Sequence, residues 1–288
     1  MKNYIPSADR AQVLVQALPY IDRYHGKIVV VKYGGNAMIN EKLQQQVMED
    51  LVLLRLVGVQ VVLVHGGGPE ISAVMKKMGK EPVFVEGLRV TDKETMDIVQ
   101  MALVGKVNST LVSLVEKYGG RALGLSGADG LLLEAKQRDP RLGFVGDVTE
   151  VHPQPILDLL EKGYIPVVST LGCDRGGSLY NINGDTAAAC IAGALRAERL
   201  LLMTDVPGIL RDKNDPESLL PDLTVDEARQ ARADGILAGG MIPKVDCAVQ
   251  ALEAGVENVV ILDGRVPHAL LLELLTDEGA GTLLRKDF

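Results

Sequence analysis

Residues 28–35, IVVVKYGG, decide the fold, because an uninterrupted apolar run ends there in a lysine, a tyrosine and two glycines. Such a run is typical of a strand buried on both faces. The pattern recurs at residues 59–68, VQVVLVHGGG. Further apolar runs that predict buried strands lie at residues 122–125, 165–169, 200–203 and 259–262. Together they predict one large sheet.

Segments with apolar residues at helical spacing lie between most of these runs. Thr91 with Glu94, and Thr224 with Glu227, have the spacing of capping boxes that begin helices. Two predicted hairpins interrupt the alternation, at residues 131–136 with 144–148 and at residues 172–180. Strands alternating with helices predict an α/β fold, a three-layer αβα sandwich with a mainly parallel central sheet.

The composition narrows the class of protein. The chain has 288 residues, 47% hydrophobic and 24% charged, which excludes disordered and collagen-like chains. Its net charge of −8 argues against nucleic acid or an anionic membrane as partner. Three scattered cysteines and four histidines without ligand spacing predict neither a disulfide framework nor a metal site. No apolar run reaches the ~18 residues that span a bilayer. The few, widely spaced cysteines suggest a reducing compartment, so we expect a cytoplasmic protein.

Residues 1–26 precede the first core strand. Ser7 is positioned to cap a helix whose apolar face is formed by Ala11, Leu14, Leu18 and Ile21. Pro19 should kink this helix, because it removes a backbone hydrogen bond. The pattern leaves two interpretations open, a helix packed on its own domain or an oligomerisation arm.

The two glycine clusters lie where a ligand is expected. In an open parallel sheet, ligands bind beyond the carboxyl ends of the strands. The pairs Gly34-Gly35 and Gly67-Gly68 can be tight turns or sites where backbone N–H groups approach an anion, and two clusters on consecutive strands favour the anion. Lys32 either extends to solvent or faces a phosphate, and its place beside a glycine loop favours the phosphate. Neither cluster is a P-loop or a Rossmann fingerprint.

Three further segments carry polar residues that suggest a site. Lys244 follows a predicted helix start, where a cation is unfavourable unless an anion lies nearby. Asn181, Asn183 and Asp185 precede another helix, which needs only one of them as its cap, so the surplus suggests a polar network. Asp185 could hold two ammonium groups. Arg89 is either a clamp for a carboxylate or an ordinary surface arginine.

Seven motifs, taken together, resemble the amino acid kinase family over nearly the whole chain. They are KYGGNAM, HGGGPEI, GLRVTD, GLSGADG, NINGDTAA, LLMTDVPGIL and GGMIPKV. The resemblance implies an arm at residues 1–26, an amino-acid-substrate lobe at 27–196 and a nucleotide-binding lobe at 197–288. It implies transfer of the ATP γ-phosphoryl group to the γ-carboxylate of N-acetyl-L-glutamate in arginine biosynthesis, with Mg²⁺ held mainly by the phosphates.

The resemblance also implies roles for individual residues. The implied catalytic residues are Lys32, Lys244 and Asp185. The implied acceptor-binding residues are Gly67, Gly68, Arg89, Asn181 and Asn183. The implied nucleotide-binding residues are Gly34, Gly35, Thr204, Asp205 and Gly208. A carboxylate acceptor has a pKa of roughly 4 and is already ionised, so the reaction needs no general base, and none is evident in the sequence.

The stretch ALPYIDRYHGK resembles the N-terminal arm of the arginine-inhibited branch of the family, which forms homohexamers as trimers of dimers. The residues that the resemblance assigns to an arginine site are Tyr20, His268, Glu278 and Gly281. Gly184 departs from the family pattern, which has alanine there, and should loosen the start of its helix. Some photosynthetic relatives bind a PII signalling protein, and the sequence leaves open whether this chain does.

Two other functions remain open from the sequence. One is another acid or carbamate kinase of the same family, which would share the motifs but take a different acceptor. The other is a non-catalytic arginine sensor, against which the presence of Lys32, Lys244 and Asp185 argues.

Overall fold

The computed structural model describes residues 6–38, 40–212 and 214–286. The strands in these ranges are β1 (Ile28–Tyr33), β2 (Gln60–His65), β3 (Phe84–Val85), β4 (Leu88–Arg89), β5 (Ala122–Ser126), β6 (Leu133–Gln137), β7 (Val145–Val151), β8 (Ile165–Ser169), β9 (Leu171–Cys173), β10 (Leu179–Ile182), β11 (Arg199–Thr204), β12 (Asp222–Thr224), β13 (Asn258–Asp263) and β14 (Gly281–Arg285). The α-helices are α1 (Ser7–Gln16), α2 (Leu18–Tyr24), α3 (Glu41–Leu56), α4 (Gly68–Lys77), α5 (Lys93–Gln100), α6 (Ser109–Lys117), α7 (Gln154–Glu161), α8 (Gly184–Ala194), α9 (Val225–Ala233), α10 (Met241–Glu253) and α11 (Ala269–Leu275).

The central sheet has eight strands in the order β12-β14-β13-β11-β1-β2-β8-β5. The six strands from β13 to β5 are parallel, and all six were predicted from apolar runs. β14 is antiparallel to β13 and parallel to β12, so these two edge strands run the other way. The sequence did not predict them, because β12 is only three residues long and β14 begins with glycine and threonine. The predicted fold class is confirmed.

Alternate residues of β1 face opposite layers of helices. Val29 and Val31 pack into one hydrophobic core, with residues of α3, α6 and α11. Val30 packs into the other, with residues of α7, α8, α9 and α10. All three valines are completely buried, and each such burial stabilises the fold by about 1.5–3 kcal/mol relative to exposure. The uninterrupted apolar run therefore follows from cover on both faces.

A second sheet holds the predicted hairpins. β6 pairs antiparallel with β7, and β9 pairs antiparallel with β10, so both hairpins are confirmed. β7 pairs in parallel with β10, and β6 pairs in parallel with β9, which closes the four strands on themselves. The register places Asn181 opposite Val145. This sheet thereby carries the segment that leads into α8.

One of the two predicted capping boxes is confirmed. Thr224 caps α9, with its hydroxyl accepting from the Glu227 N–H and the Glu227 carboxylate accepting from the Thr224 N–H. The prediction at Thr91 is wrong, because α5 begins one residue later and Asp92 is its cap. Thr91 is buried, and its hydroxyl donates to the carbonyl of Arg89 at 2.8 Å. The same hydroxyl accepts from Asn181 Nδ2 at 3.3 Å, so both of its contacts are made away from the first N–H groups of α5.

The N-terminal segment forms two helices that are separated at Ala17, and Pro19 lies in the first turn of the second helix. α1 ends at Gln16 and α2 begins at Leu18, so the predicted kink is confirmed. Ser7 is wrong as a cap, because it is the first helical residue and no side chain caps α1. Leu14 is 68% exposed, and α1 buries none of its residues. Packing on its own chain therefore does not explain the apolar face of α1. The predicted arm also includes residues 1–5, which lie outside the described residues.

Residues Lys93–Lys117 form one continuous helical run, in which a π-helical segment, Met101–Asn108, joins α5 to α6. By length and composition alone the run is apolar enough to cross a membrane. The fold accounts for this character, because Ile98, Leu103 and Leu111 are buried in the hydrophobic cores.

Candidate active site

Lys32 lies near the carboxyl end of β1, in the middle of the sheet, between Val64 of β2 and Leu202 of β11. Its side chain is 12% exposed. A Cβ on Gly34 would lie 2.9 Å from the Lys32 Nζ, so the ammonium group folds back over the glycine loop. The lysine therefore does not extend to solvent, and its charge needs a partner.

Asp185 is that partner. Its Oδ1 lies 2.8 Å from Lys32 Nζ, and its Oδ2 lies 2.6 Å from Lys244 Nζ. Burial alone would raise the pKa of Asp185, but the charges and hydrogen bonds of the two lysines outweigh it and lower the pKa to about 2. The carboxylate is therefore ionised at neutral pH and holds two ammonium groups together, as the sequence predicted.

Two helices begin at this cluster. Asp185 is in the first turn of α8, and Lys244 is in the first turn of α10. Two ammonium groups against one carboxylate leave one net positive charge, and the two helix N-termini add to it. The cluster of Lys32, Asp185 and Lys244, here called the charge cluster, is therefore suited to an anion.

On one side of the charge cluster is a cavity of about 160 Å³, here called the acceptor cavity. Its lining residues include all five predicted acceptor-binding residues, Gly67, Gly68, Arg89, Asn181 and Asn183. Gly184 also lines it, and a Cβ there would meet Lys32 Cε at 3.4 Å, an ordinary contact. The alanine of the family pattern would therefore fit at this position, so having glycine there does not change which residues line the acceptor cavity.

Arg89 is buried in the wall of the acceptor cavity and is not a surface residue, being 6% exposed. Its Nη2 donates to the carbonyl of Gly68 and to Ser72 Oγ, both at 2.9 Å, and its guanidinium lies 4.7 Å from the centre of the Phe84 ring. Burial lowers the pKa of Arg89. The sequence did not predict Ser72 and Phe84, because a serine inside a helix and a lone phenylalanine carry no motif.

The two asparagines differ in their contacts. Asn183 is the cap of α8, since its Oδ1 accepts from the N–H groups of Asp185 and Thr186 at 2.9 and 3.1 Å. Asn181 Nδ2 donates to Thr91 Oγ1 at 3.3 Å. Capping thus explains one of the two residues, and both line the acceptor cavity.

On the other side of the charge cluster is a cavity of about 330 Å³, here called the nucleotide cavity. Its lining includes Thr204 and Gly208, two of the five nucleotide-binding residues that the resemblance implies, and Lys244 of the charge cluster. Asp205 lies close to Gly35, where a Cβ would meet Asp205 Oδ1 at 2.5 Å, so a side chain at that position would collide. The lining residues that the sequence did not predict are Val206, Ile209, Leu210, Ile236, Leu237, Ala238, Gly240 and Met241. Most of them are apolar, which a buried core would also require, so the sequence carried no distinguishing signal for them.

A third cavity, of about 700 Å³, lies between the N-terminal helices, α3 and α11. It is called the arm cavity here. Tyr20 and His268 line it, and Tyr20 Oη donates to Asp277, another lining residue. His268 Nδ1 lies 2.6 Å from the buried Asp50 Oδ1. Glu278 and Gly281 are not among the lining residues, so two of the four predicted arginine-site residues meet here.

Among the described residues, one group has the spacing for a metal ion, namely Glu134, Glu150 and His152. None of the three lines the acceptor or nucleotide cavity. Glu134 already accepts from Arg175 Nε at 3.0 Å, and the group carries no functional assignment.

The fold and the charge cluster together define an α/β enzyme with its site at the carboxyl ends of parallel strands. The chain belongs to the amino acid kinase family, whose model matches residues 27–263. It is similar to an acetylglutamate kinase of Desulfitobacterium hafniense, with 52% identity over 287 residues that cover 96% of each chain. The predicted family is confirmed.

The chain is also similar to solved structures of N-acetylglutamate synthase. The N-acetylglutamate synthase from Neisseria gonorrhoeae, complexed with coenzyme A and N-acetyl-glutamate, is similar with a TM-score of 0.85 at 27% identity. The match covers 96% of this chain and 64% of that one. The same synthase complexed with coenzyme A and L-arginine has a TM-score of 0.80 at 26% identity, over 96% of this chain and 65% of that one.

Proposed function

We propose that the protein transfers the γ-phosphoryl group of ATP to the γ-carboxylate of N-acetyl-L-glutamate, giving N-acetyl-L-glutamyl 5-phosphate and ADP. The observation that carries the proposal is the charge cluster, in which Asp185 holds Lys32 and Lys244 between two cavities. The relative that is 52% identical is an acetylglutamate kinase. The reaction belongs to arginine biosynthesis, and we place the protein in the cytoplasm.

The chemistry suits a site without a general base. The acceptor carboxylate has a pKa of roughly 4 and is ionised at neutral pH. One of its oxygens forms a bond to the γ-phosphorus, and the bond from that phosphorus to the bridging oxygen of ADP breaks. Negative charge spreads over the transferring group, and the ammonium groups of Lys32 and Lys244 neutralise it. Asp185 keeps both ammonium groups in place.

Each cavity takes one substrate in this proposal. Arg89 binds the α-carboxylate of the acceptor, with Asn181 and Asn183 beside it, and the N–H groups of Gly67 and Gly68 face the reacting oxygens. Thr204, Asp205 and Gly208 hold the nucleoside, and Gly34 and Gly35 approach the phosphates. Both Asp185 oxygens are engaged by lysines, which fits Mg²⁺ carried mainly by the phosphates. The lobes divide the work as 27–196 for the acceptor and 197–288 for the nucleotide.

The test is ATP-dependent formation of an acyl phosphate, trapped with hydroxylamine as the hydroxamate. N-acetyl-L-glutamate, glutamate, aspartate and carbamate are compared as acceptors. We expect turnover with N-acetyl-L-glutamate at least about a hundredfold above the others, because glutamate and aspartate carry an ammonium group in place of the neutral acetamide, and carbamate lacks the α-carboxylate that Arg89 binds. Preference for another acceptor would assign the protein to a different kinase of the family, and no turnover with any acceptor would leave a non-catalytic sensor.

Replacing Arg89 by alanine should raise the KM for N-acetyl-L-glutamate by about 30- to 150-fold, because a charge-assisted pair of about 2–3 kcal/mol is lost. The KM for ATP should stay within about threefold. Steady-state kinetics with each substrate varied in turn measure both, and Arg138→Ala, at an exposed arginine, is the matched control. A rise confined to the KM for ATP would place Arg89 in the nucleotide lobe.

We further propose that the protein is a homohexamer, a trimer of dimers, which arginine inhibits at the arm cavity. The exposed apolar residues of α1 support an oligomerisation arm, because none of them is buried against the described part of the chain. Tyr20 and His268 line the arm cavity, and the related synthase has been solved with L-arginine. Glu278 and Gly281 follow Asp277 closely in the chain and complete the proposed site.

Deleting residues 1–26 should convert hexamers to dimers and raise the arginine concentration for half-inhibition by at least about tenfold, since the coupling of such sites is typically 1–3 kcal/mol. Size-exclusion chromatography with light scattering gives the mass, and the hydroxamate assay gives the inhibition. Tyr20→Phe is the matched control, because it removes the bond to Asp277 and keeps the arm. It should leave the mass unchanged. An unchanged mass after the deletion would contradict the role of the arm.

A further inference from the structure

We infer that His65 and Asn108 are positioning residues, which hold the peptide between Gly66 and Gly67 so that the N–H of Gly67 faces the transferring phosphoryl group. This inference rests on the proposed function and assigns to the reaction two residues that do not touch the substrates. A backbone N–H aimed at developing charge is effective because it is fixed before the reaction begins.

A chain of hydrogen bonds fixes the proton on His65. The Nδ2 of Asn108 lies 2.8 Å from the carbonyl of Val167 and 3.0 Å from His65 Nε2. The same Nδ2 also lies 3.4 Å from the carbonyl of Leu125. An amide nitrogen donates and does not accept, so His65 Nε2 is the acceptor in its contact with Asn108 and carries no proton. The proton is therefore on Nδ1, which donates to the carbonyl of Gly66 at 2.9 Å. Burial lowers the pKa of His65 to about 4, so the ring stays neutral in this form at neutral pH.

The bond to the Gly66 carbonyl sets the direction of the next N–H. In a trans peptide the C=O and the N–H point in opposite directions, so the Gly67 N–H points away from His65. Gly66 and Gly67 line the acceptor cavity, and His65 does not. A Cβ on Gly184 would lie 3.9 Å from Gly66 Cα and 3.4 Å from Lys32 Cε, so this peptide lies beside the charge cluster.

The fold builds a place for the Asn108 amide. Asn108 is the last residue of the π-helical segment and is buried. Such segments are rare, and they frequently occur at functional sites. In the neighbouring strand, β5, a Cβ on Gly124 would lie 2.0 Å from Asn108 Oδ1, so only glycine leaves room for the amide. The π-helical turn and this glycine together place one donor at His65 Nε2.

Two substitutions of His65 separate positioning from structural support. In His65→Gln the new amide reaches Asn108 but no longer the Gly66 carbonyl, and the volume is nearly kept. In His65→Asn the new amide nitrogen takes the place of Nδ1 and can still donate to Gly66, but it leaves a cavity at Asn108. We expect the glutamine variant to have the higher melting temperature and the lower activity.

The measurements are kcat and both KM values in the hydroxamate assay, together with thermal unfolding. His65→Gln should lower kcat by about a hundredfold, as expected for one misdirected N–H donor, with both KM values within about threefold. His65→Asn should keep kcat within about fivefold of the wild type despite its lower melting temperature. His152→Gln, at a histidine outside both cavities, is the matched control, and it should change neither kcat nor the melting temperature.

If activity instead falls in the same order as the melting temperature, His65 is only a structural residue and the inference is overturned. A wild-type ¹⁵N NMR spectrum that places the His65 ring proton on Nε2 would also overturn the inference. The His65 ring signals are assigned as those that are missing from the spectrum of His65→Gln. Absence of acyl phosphate formation by the wild type would refute the proposed function. If the wild type forms acyl phosphate and His65→Gln is equally active, the positioning role of His65 is refuted and the proposed function stands.

Discussion

Replacing either Lys32 or Lys244 by alanine is expected to lower kcat by about a thousandfold, with the KM values for ATP and N-acetyl-L-glutamate within about threefold. Both ammonium groups are held at the boundary of the two cavities, 2.8 and 2.6 Å from the same carboxylate. Charge on the transferring phosphoryl group develops in the transition state, so a lysine that neutralises it contributes to kcat more than to substrate binding.

The controls for these variants use other lysines. Lys93→Ala removes an exposed lysine that pairs with Asp97 one helical turn away, and it should leave kcat unchanged. Lys32→Arg keeps the charge, but the planar guanidinium is bulkier than an ammonium group. The Lys32 Nζ already lies close to the glycine loop, since a Cβ on Gly34 would be only 2.9 Å from it, so we expect the arginine variant to restore little activity. Wild-type kcat in both alanine variants would contradict the assigned roles.

The double variant adds information on the charge cluster. Because the two lysines share Asp185 and act on one group, their effects should not add. We expect the double variant to lose less than the product of the two single losses. Full additivity would mean that the lysines act on separate steps, and the same kinetic assay measures it.

The sequence predicted the central strands because each is covered on both faces, so apolar residues fill every position. It predicted both lysines as anion-facing because each is an uncompensated charge, Lys32 inside a valine run and Lys244 at a helix start. It also suggested that Asp185 could hold two ammonium groups, but the distances of 2.8 and 2.6 Å to Lys32 and Lys244 depend on how α8 and α10 pack together.

The wrong prediction at Thr91 and the lining residues that were not predicted have other causes. Thr91 has the spacing of a capping box, but its hydroxyl bonds to the Arg89 carbonyl and to Asn181, which is distant in the chain, and Asp92 caps the helix instead. The apolar wall of the nucleotide cavity, such as Ile209 and Leu237, consists of residue types that a core would also use. Only the three-dimensional arrangement distinguishes a lining residue from a core residue in these cases.

Replacing Asp185 by asparagine should lower both kcat and stability. The carboxylate is 14% exposed and is shared by two buried ammonium groups, so its loss leaves two positive charges facing each other. Removing one partner of a buried ion pair typically costs about 3–5 kcal/mol of unfolding free energy. We expect a loss of about 3 kcal/mol at pH 7, and kcat lowered about a thousandfold because neither lysine is held in place.

The effect on stability should depend on pH. The pKa of Asp185 is about 2 in the folded protein, below its ordinary value of 3.8, so its contribution is complete above about pH 4 and is lost as the pH falls through 2. Urea unfolding of the wild type and of Asp185→Asn between about pH 7 and pH 2 therefore measures a difference that narrows only at the acid end. Asp147→Asn, at a half-exposed carboxylate, is the matched control. A difference in unfolding free energy that stayed constant to pH 2 would show that the variant loses stability through packing. A difference caused by the lost ion pairs would instead disappear as the wild-type carboxyl becomes protonated.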